Sequence, residues 1–250
     1  MSSSPVSASP RVLNLLQKLH ATSSAQESSF SLTVFWIFKL FRDRFAKNKW
    51  SSQDDDFMRD KFIALEPDKC HFLYLLARTT GALNVVEAGT SFGVSTIYLA
   101  LAVAQNAAAK QISGPIVPGL TGKVIATEKE PHKAKRAREY WKEAGDEVEP
   151  WVTLLEGDLR DLLPAEVNKT EQIDLLLLDI WTPMALPALK AVQRKLRQGA
   201  LIIADNTVMS RAGYQEFFDY INAPDSGFKK MTTPFKGGLE VVVYLPGDLA

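Results

Sequence analysis

Short apolar runs alternate with amphipathic stretches along most of this chain. Runs at residues 85–88, 123–127, 152–155, 173–178 and 200–204 predict buried β-strands, and stretches with helical spacing separate most of them. Strands that alternate with helices form a parallel, doubly wound sheet, so the pattern predicts an α/β fold. Two final runs, at 228–233 and 239–244, have no helical stretch between them and predict an antiparallel hairpin.

Residues 1–55 form a separate N-terminal extension in this pattern, and residues 56–250 form the α/β domain. Residues 1–10 are rich in serine and proline and are expected to be disordered, whereas 11–20 have helical spacing. Residues 30–50 combine many aromatic side chains with lysines and arginines, in an apolar run too short to span a membrane. We expect this helical extension to cap the site or to form a homodimer contact; attachment to a membrane surface is the alternative. A helix over 62–80, interrupted by Pro67, should lead into the first strand.

The composition excludes several functional classes. Lysine plus arginine and aspartate plus glutamate number 29 each, so no basic excess indicates nucleic-acid binding. The single cysteine, Cys70, excludes an internal disulfide framework and fits a reducing, cytoplasmic location. No apolar core follows a charged N-terminus, so a secretory signal is not expected, and a transit peptide is the alternative.

The stretch from Glu87 to Ser95 carries the main functional signal. Gly89 and Gly93 allow a sharp turn and a close approach of the backbone to a ligand. Ser95 and Thr96 then begin a helix whose free N–H groups and positive dipole end face the crevice. We therefore expect a nucleotide-like ligand with an anionic group here; a plain strand–loop–helix is the alternative.

Acidic side chains stand at the ends of all five predicted parallel strands. They are Glu87, Glu128, Asp158, Asp179 and Asp205, the last followed by Asn206. Ligands of such sheets bind outside the carboxyl ends of the strands, so these side chains should line one crevice. Glu128 suits the two hydroxyls of a ribose, and Asp158 could accept from an adenine amine, although any single acid here could be a helix cap.

A magnesium site is predicted at the same edge. Asp179, Asp205 and Asn206 supply three oxygen ligands from two strands that should be neighbours. Glu240 stands in an otherwise apolar run, where a charge is costly unless it is used, and we expect it to face the substrate.

These motifs together resemble the class I S-adenosylmethionine-dependent methyltransferases, and most of all the catechol and caffeoyl-CoA O-methyltransferases, from about residue 65 to 244. The resemblance implies a Rossmann-like, seven-stranded sheet whose last strand is antiparallel. It implies a Mg²⁺-assisted O-methyltransferase for a small aromatic, catechol-like or phenolic acceptor, with Asp179 and Glu240 as catalytic residues. The implied metal ligands are Asp179, Asp205 and Asn206, and the implied cofactor contacts are Leu65, Glu87, Gly89, Ser91, Ser95, Glu128, Asp158, Asp179 and Trp181.

One position departs from the catechol enzyme. A lysine serves there as general base shortly after the aspartate of strand four, whereas Thr182 follows Trp181 here. The metal could acidify the acceptor alone, Lys69 or Glu240 could help, or the acceptor could already be an anion. A metal-independent methyltransferase for a phenol or carboxylate and a non-catalytic binding module are therefore kept as alternatives. The G-x-x-x-G spacing of Gly89 and Gly93 argues against a nicotinamide-dependent dehydrogenase.

Overall fold

A seven-stranded mixed sheet forms the centre of the molecule. The computed structural model describes residues 4–27, 61–113 and 122–247. The strands lie in the order β3-β2-β1-β4-β5-β7-β6. Their bounds are β1 Asn84–Ala88, β2 Lys123–Glu128, β3 Val152–Glu156, β4 Ile173–Leu178, β5 Leu196–Asp205, β6 Phe228–Thr233 and β7 Leu239–Tyr244. Strands β1 to β5 are parallel, and β7 lies antiparallel between β5 and β6. The predicted fold class is confirmed.

Helices cover both faces of the sheet. In the described ranges they are α1 Pro10–Glu27, α2 Pro67–Thr79, α3 Val94–Ser113, α4 Pro131–Ala144, α5 Leu159–Asn168, α6 Ala185–Val192 and α7 Gln215–Ile221. Buried side chains of α1 to α4 share one apolar core with one face of the sheet. Those of α5 to α7 pack on the other face. The carboxyl ends of β1 to β5 therefore open between two helical layers, where a ligand crevice is expected.

Three elements differ from the sequence prediction. The helix expected over 62–80 begins only at Pro67, because proline is suited to the first turn of a helix but not to its interior. Helix α5 was not predicted; it is short and contains Pro164. Strand β5 begins at Leu196, directly after a 3₁₀ turn over Gln193–Lys195, and so starts before the run predicted at 200–204.

Helix α1 is part of the main core. Its buried apolar residues are Val12, Leu15, Leu16 and Leu19. The Arg11 guanidinium donates to the carbonyl oxygen of Ala144, 2.7 Å away, at the end of α4. Residues 4–9, within the stretch predicted to be disordered, also lie against the domain: Val6 is buried, and the Ser7 N–H lies 3.4 Å from the Tyr74 hydroxyl oxygen that accepts it.

Other expectations for the N-terminal extension stay predictions. The aromatic and basic segment 30–50 lies outside the described residues, and so does any dimer contact or site cap that it forms. Among the helices that are described, none combines the length and the apolar character needed to cross a membrane.

Candidate active site

The loop after β1 is packed so tightly that glycine is required at two positions. Gly89 has a φ of 90°, and a Cβ there would overlap the carbonyl oxygen of Asp179, which follows β4. The two strand ends are joined at this point because the Asp179 N–H donates to the Ala88 carbonyl oxygen, 3.1 Å away. Gly93 has a φ of 76°, and a Cβ there would stand 2.6 Å from Nε1 of Trp141. Both glycines are thus required by packing inside the protein, and a close approach of this loop to a ligand stays a prediction.

Glu87 organises this loop from below. Its carboxylate is fully buried and accepts hydrogen bonds from the hydroxyls of Thr90 (2.9 Å), Ser95 (2.6 Å) and Thr96 (2.5 Å). Burial raises the pKa of the Glu87 carboxyl, and the three hydroxyl donors partly offset that rise. The hydrogen of Ser95 is therefore directed at Glu87, and a ligand can use only the acceptor side of that hydroxyl.

Glu128 connects the ends of three strands. One of its carboxylate oxygens accepts the Ser91 N–H at 2.7 Å, and the other accepts the Glu130 N–H at 2.8 Å. Its backbone carbonyl accepts the N–H of Gly157, 2.9 Å away, which follows β3. These bonds hold the carboxylate against the β1 loop with lone pairs left for further donors, an arrangement that can accept hydroxyl groups.

Asp158 and Trp181 both lie at the carboxyl ends of the strands, but Asp158 is bonded to Arg160 whereas Trp181 is exposed. Asp158 caps α5, accepting the Arg160 N–H at 2.9 Å, and it also pairs with the Arg160 guanidinium. The Arg160 side chain and N–H lower the pKa of the Asp158 carboxyl to about 2. Trp181 is 47% exposed, directly beyond β4 and Asp179. Contacts of both residues with an adenine stay predictions, as does a cofactor contact of Leu65, which is buried in the core.

A buried lysine lies among the acids at the ends of β4 and β5. Nζ of Lys69, on the first turn of α2, is 2.5 Å from Oδ1 of Asp205 and 2.9 Å from Oε2 of Glu66. Burial opposes the charge of Lys69, but the hydrogen bonds and attraction of Asp205 and Glu66 outweigh it and raise the pKa of the ammonium. Burial, with repulsion from Asp205 and Glu87, raises the pKa of the Asp179 carboxyl well above its usual range.

Two of the three predicted metal ligands, Asp205 and Asn206, have their side-chain oxygens in contact with other groups of the protein. Asp205 already accepts Lys69 at Oδ1 and the Asn206 side-chain amide at Oδ2, 2.7 Å away. The amide oxygen of Asn206 packs against Gly237, where a Cβ would overlap it. Within the described ranges, no group of three or more histidine, cysteine, aspartate and glutamate side chains could hold a metal ion. The residues present do not fit Mg²⁺ as the sequence pattern predicted.

Glu240 lies on the other face of the sheet from this ion group. It pairs in register with Ala204, whereas Asp205 pairs with Leu239, and neighbouring residues of a strand point to opposite faces. Its buried carboxylate accepts Lys230 Nζ and the Thr232 hydroxyl, each at 2.7 Å. A direct role of Glu240 toward the acceptor is therefore not supported by its contacts.

Thr182, which stands where the catechol enzyme has its lysine, packs against the loop before α7. A Cβ on Gly213 would overlap its hydroxyl oxygen.

The pairing of Lys69 with Asp205 was not predicted, although Lys69 shares a helical stripe with the buried Cys70 and Leu73, an unusual place for a lysine. That burial was the available signal.

The sheet order and the loop after β1 define a class I methyltransferase fold. Residues 86–207 match the family described as a methyltransferase domain. The resemblance to class I S-adenosylmethionine-dependent O-methyltransferases predicted from the sequence is confirmed.

Two curated relatives are catechol O-methyltransferases. That of Niastella koreensis is 30% identical over 147 residues, covering 58% of this chain and 59% of the relative. That of Mycobacterium tuberculosis is 31% identical over 146 residues, covering 58% of each chain. The chain therefore spans under two thirds of the length of the curated relatives that it matches.

A solved structure extends the likeness in fold. The O-methyltransferase TomG from Streptomyces achromogenes, involved in tomaymycin synthesis and solved in complex with S-adenosylmethionine, superposes with a TM-score of 0.62. The superposition covers 88% of this chain and 98% of that chain at 23% identity. The likeness in fold thus extends beyond residues 86–207.

Proposed function

We propose that this protein is an S-adenosylmethionine-dependent O-methyltransferase for a small acceptor that carries a phenol or carboxylate oxygen. The observation that carries the proposal is the tight glycine loop after β1 facing the Glu128 carboxylate, within a methyltransferase domain. A bare backbone loop beside a carboxylate that can accept two hydroxyls suits the nucleoside part of such a cofactor.

The electrostatics of the crevice support a cationic cofactor. After burial, the carboxylates of Asp205, Glu87 and Glu66 raise the pKa of Asp179, and the ammonium of Lys69 partly offsets them. The resulting negative potential favours the sulfonium and the amino group of S-adenosylmethionine over a neutral or anionic nucleotide. Asp179 is the natural partner for the amino group because its side chain is partly buried and its backbone lies against Gly89.

Methyl transfer in this site would depend mainly on positioning. The acceptor oxygen attacks the methyl carbon in line with the sulfur, the new O–CH₃ bond forms as the S–CH₃ bond breaks, and the acceptor's proton, where it has one, passes to water. The residues would hold the two reactants at reacting distance and exclude solvent, with no step assigned to a metal ion. Because Thr182 is not a base at neutral pH, acceptors with an acidic oxygen should react best.

The test is transfer of a radiolabelled methyl group from S-adenosylmethionine to catechols, monophenols and aromatic acids, with cofactor binding measured by calorimetry. We expect binding together with transfer to at least one acceptor class. Absence of binding would overturn the proposal. Binding without transfer to any acceptor would also overturn it, in favour of a non-catalytic binding module.

A further inference from the structure

We propose that the ammonium of Lys69 is the fixed cation of this site and takes the place of the divalent metal ion that the sequence pattern predicts. The part of this proposal that concerns metal binding does not depend on the proposed function, whereas the part that concerns the choice of acceptor rests on it. Lys69 is a positioning residue, because it acts through the carboxylates of Glu66 and Asp205 that it binds.

The first support is the reach and burial of the lysine. Lys69 is 0% exposed, and its Nζ bridges Glu66, the residue before its own helix, and Asp205 at the end of β5, 136 residues further along the chain. A buried ammonium needs such partners, and here it has two carboxylates within hydrogen-bond distance. The helix therefore delivers a permanent positive charge to the strand end where the metal was expected.

The second support is that both carboxylate oxygens of Asp205 already accept a hydrogen bond, one of them from the ammonium itself. Oδ1 holds Lys69, and Oδ2 accepts the Asn206 amide, which turns its N–H toward the carboxylate and its oxygen toward Gly237. Asn206 adopts a left-handed backbone conformation with a φ of 57°, and this conformation sets the direction in which its side chain leaves the backbone. A divalent ion would have to turn this amide to gain its oxygen, and it would bind Asp205 next to the buried ammonium, which repels it unless the ammonium is expelled.

Expelling the ammonium would be unfavourable. Lys69 is buried, so a displaced Nζ would remain inside the protein beside a second positive charge. A lysine and a divalent ion therefore compete for the same carboxylates, and the tethered lysine is always present.

A lysine in place of a divalent metal ion changes which acceptors the site can favour. A divalent ion offers open coordination positions to two vicinal oxygens, whereas an ammonium already bonded to two carboxylates offers none of that kind. Acceptors with a single reactive oxygen should thus react as well as catechols.

The test measures Mn²⁺ binding by electron paramagnetic resonance, in the presence of S-adenosylhomocysteine, for the wild-type protein and for Lys69→Met. Methionine has a similar length and no charge. We expect no Mn²⁺ binding to the wild type at millimolar concentration, and binding at least tenfold tighter in Lys69→Met, lost again in Lys69→Met/Asp205→Asn. Lys123→Met is the matched control, because Lys123 also pairs with a carboxylate (Glu166, 3.1 Å) but starts β2, at the opposite edge of the sheet.

Wild-type measurements keep the proposal testable if Lys69→Met does not fold. Saturable Mn²⁺ binding to the wild type that Asp205→Asn abolishes would overturn it, as would a folded Lys69→Met that gains no Mn²⁺ binding. Methyl transfer that stops with EDTA and returns with Mg²⁺ would overturn it while leaving the proposed function intact. Transfer to monophenols and catechols at rates within tenfold of each other, unchanged by EDTA, would support it.

Discussion

Gly89 and Asp179 meet backbone to backbone, with no room for a side chain between the glycine and the aspartate carbonyl. This contact joins the ends of β1 and β4, the two strands at the centre of the proposed cofactor site. Gly89→Ala should therefore lower the free energy of unfolding by about 3 kcal/mol and abolish cofactor binding. Urea unfolding and calorimetry with S-adenosylhomocysteine measure the two effects.

Gly81→Ala is the matched control for that substitution. Gly81 has a similar left-handed φ of 62°, but a Cβ there meets nothing within 4 Å. We expect a loss of about 1 kcal/mol from backbone strain and unchanged cofactor affinity. Equal losses in the two variants would show that strain, and not the Asp179 contact, governs Gly89.

Glu87 is expected to stabilise the loop through its acceptor atoms. Glu87→Leu leaves the hydroxyls of Thr90, Ser95 and Thr96 without their buried acceptor and should cost about 3 kcal/mol of unfolding free energy. Glu87→Gln keeps one acceptor oxygen and removes a charge that burial disfavours, so it should cost about 1 kcal/mol. Thermal or urea unfolding gives the order, and a larger loss for glutamine would contradict this account.

Substitution of Trp181 should weaken ligand binding without lowering the stability of the fold. Because its ring is 47% exposed, Trp181→Ala should change the unfolding free energy by less than about 0.5 kcal/mol. If the ring stacks on the adenine, affinity for S-adenosylhomocysteine should fall about tenfold, near 1.4 kcal/mol. Leu75→Ala, at a side chain 45% exposed on α2, is the control and should leave the affinity unchanged. Unaltered affinity in Trp181→Ala would remove this residue from the site.

His20 should make the protein sensitive to acid. Burial, reinforced by repulsion from His71, lowers the pKa of His20 from 6.5 to about 4, and the ring lies 2.9 Å from the Tyr98 hydroxyl. Between pH 6.5 and 4 the unfolded chain therefore binds a proton that the folded protein does not, so stability falls as the pH falls through this window.

The expected contribution is about 2 kcal/mol of unfolding free energy between pH 7 and pH 4.5. His20→Gln should remove this part of the loss while leaving the contact with Tyr98 possible. Urea unfolding of both proteins at the two pH values is the measurement. A wild-type loss that the variant reproduces in full would assign the acid sensitivity to other groups.

The strands and the placement of the acids at one edge could be predicted because both follow from local pattern. An apolar run such as β4 is buried on both faces, and a parallel strand must end at the ligand edge whichever helix packs on it. The contacts of those acids could not be predicted in the same way. Lys69 reaches Asp205 through tertiary packing, and no sequence spacing encodes that meeting.

Glu240 illustrates how one residue of register decides a role. Opposite Ala204 it faces α7, whereas one position earlier it would share a face with Asp205.

Helix α5 could not be predicted for a local reason. Pro164 interrupts its helical pattern, and tertiary packing overrides the low helix propensity that results.

The bond from Arg11 to Ala144 has a consequence for how the chain folds. It joins residues that lie 133 positions apart in the chain, so forming this contact of α1 carries a large loop-closure cost in entropy. Contacts of such long range are formed late and slow the search for the native state. Until then the leucine stripe of α1 is exposed to other chains, and aggregation during refolding should depend on these leucines more than on the crevice.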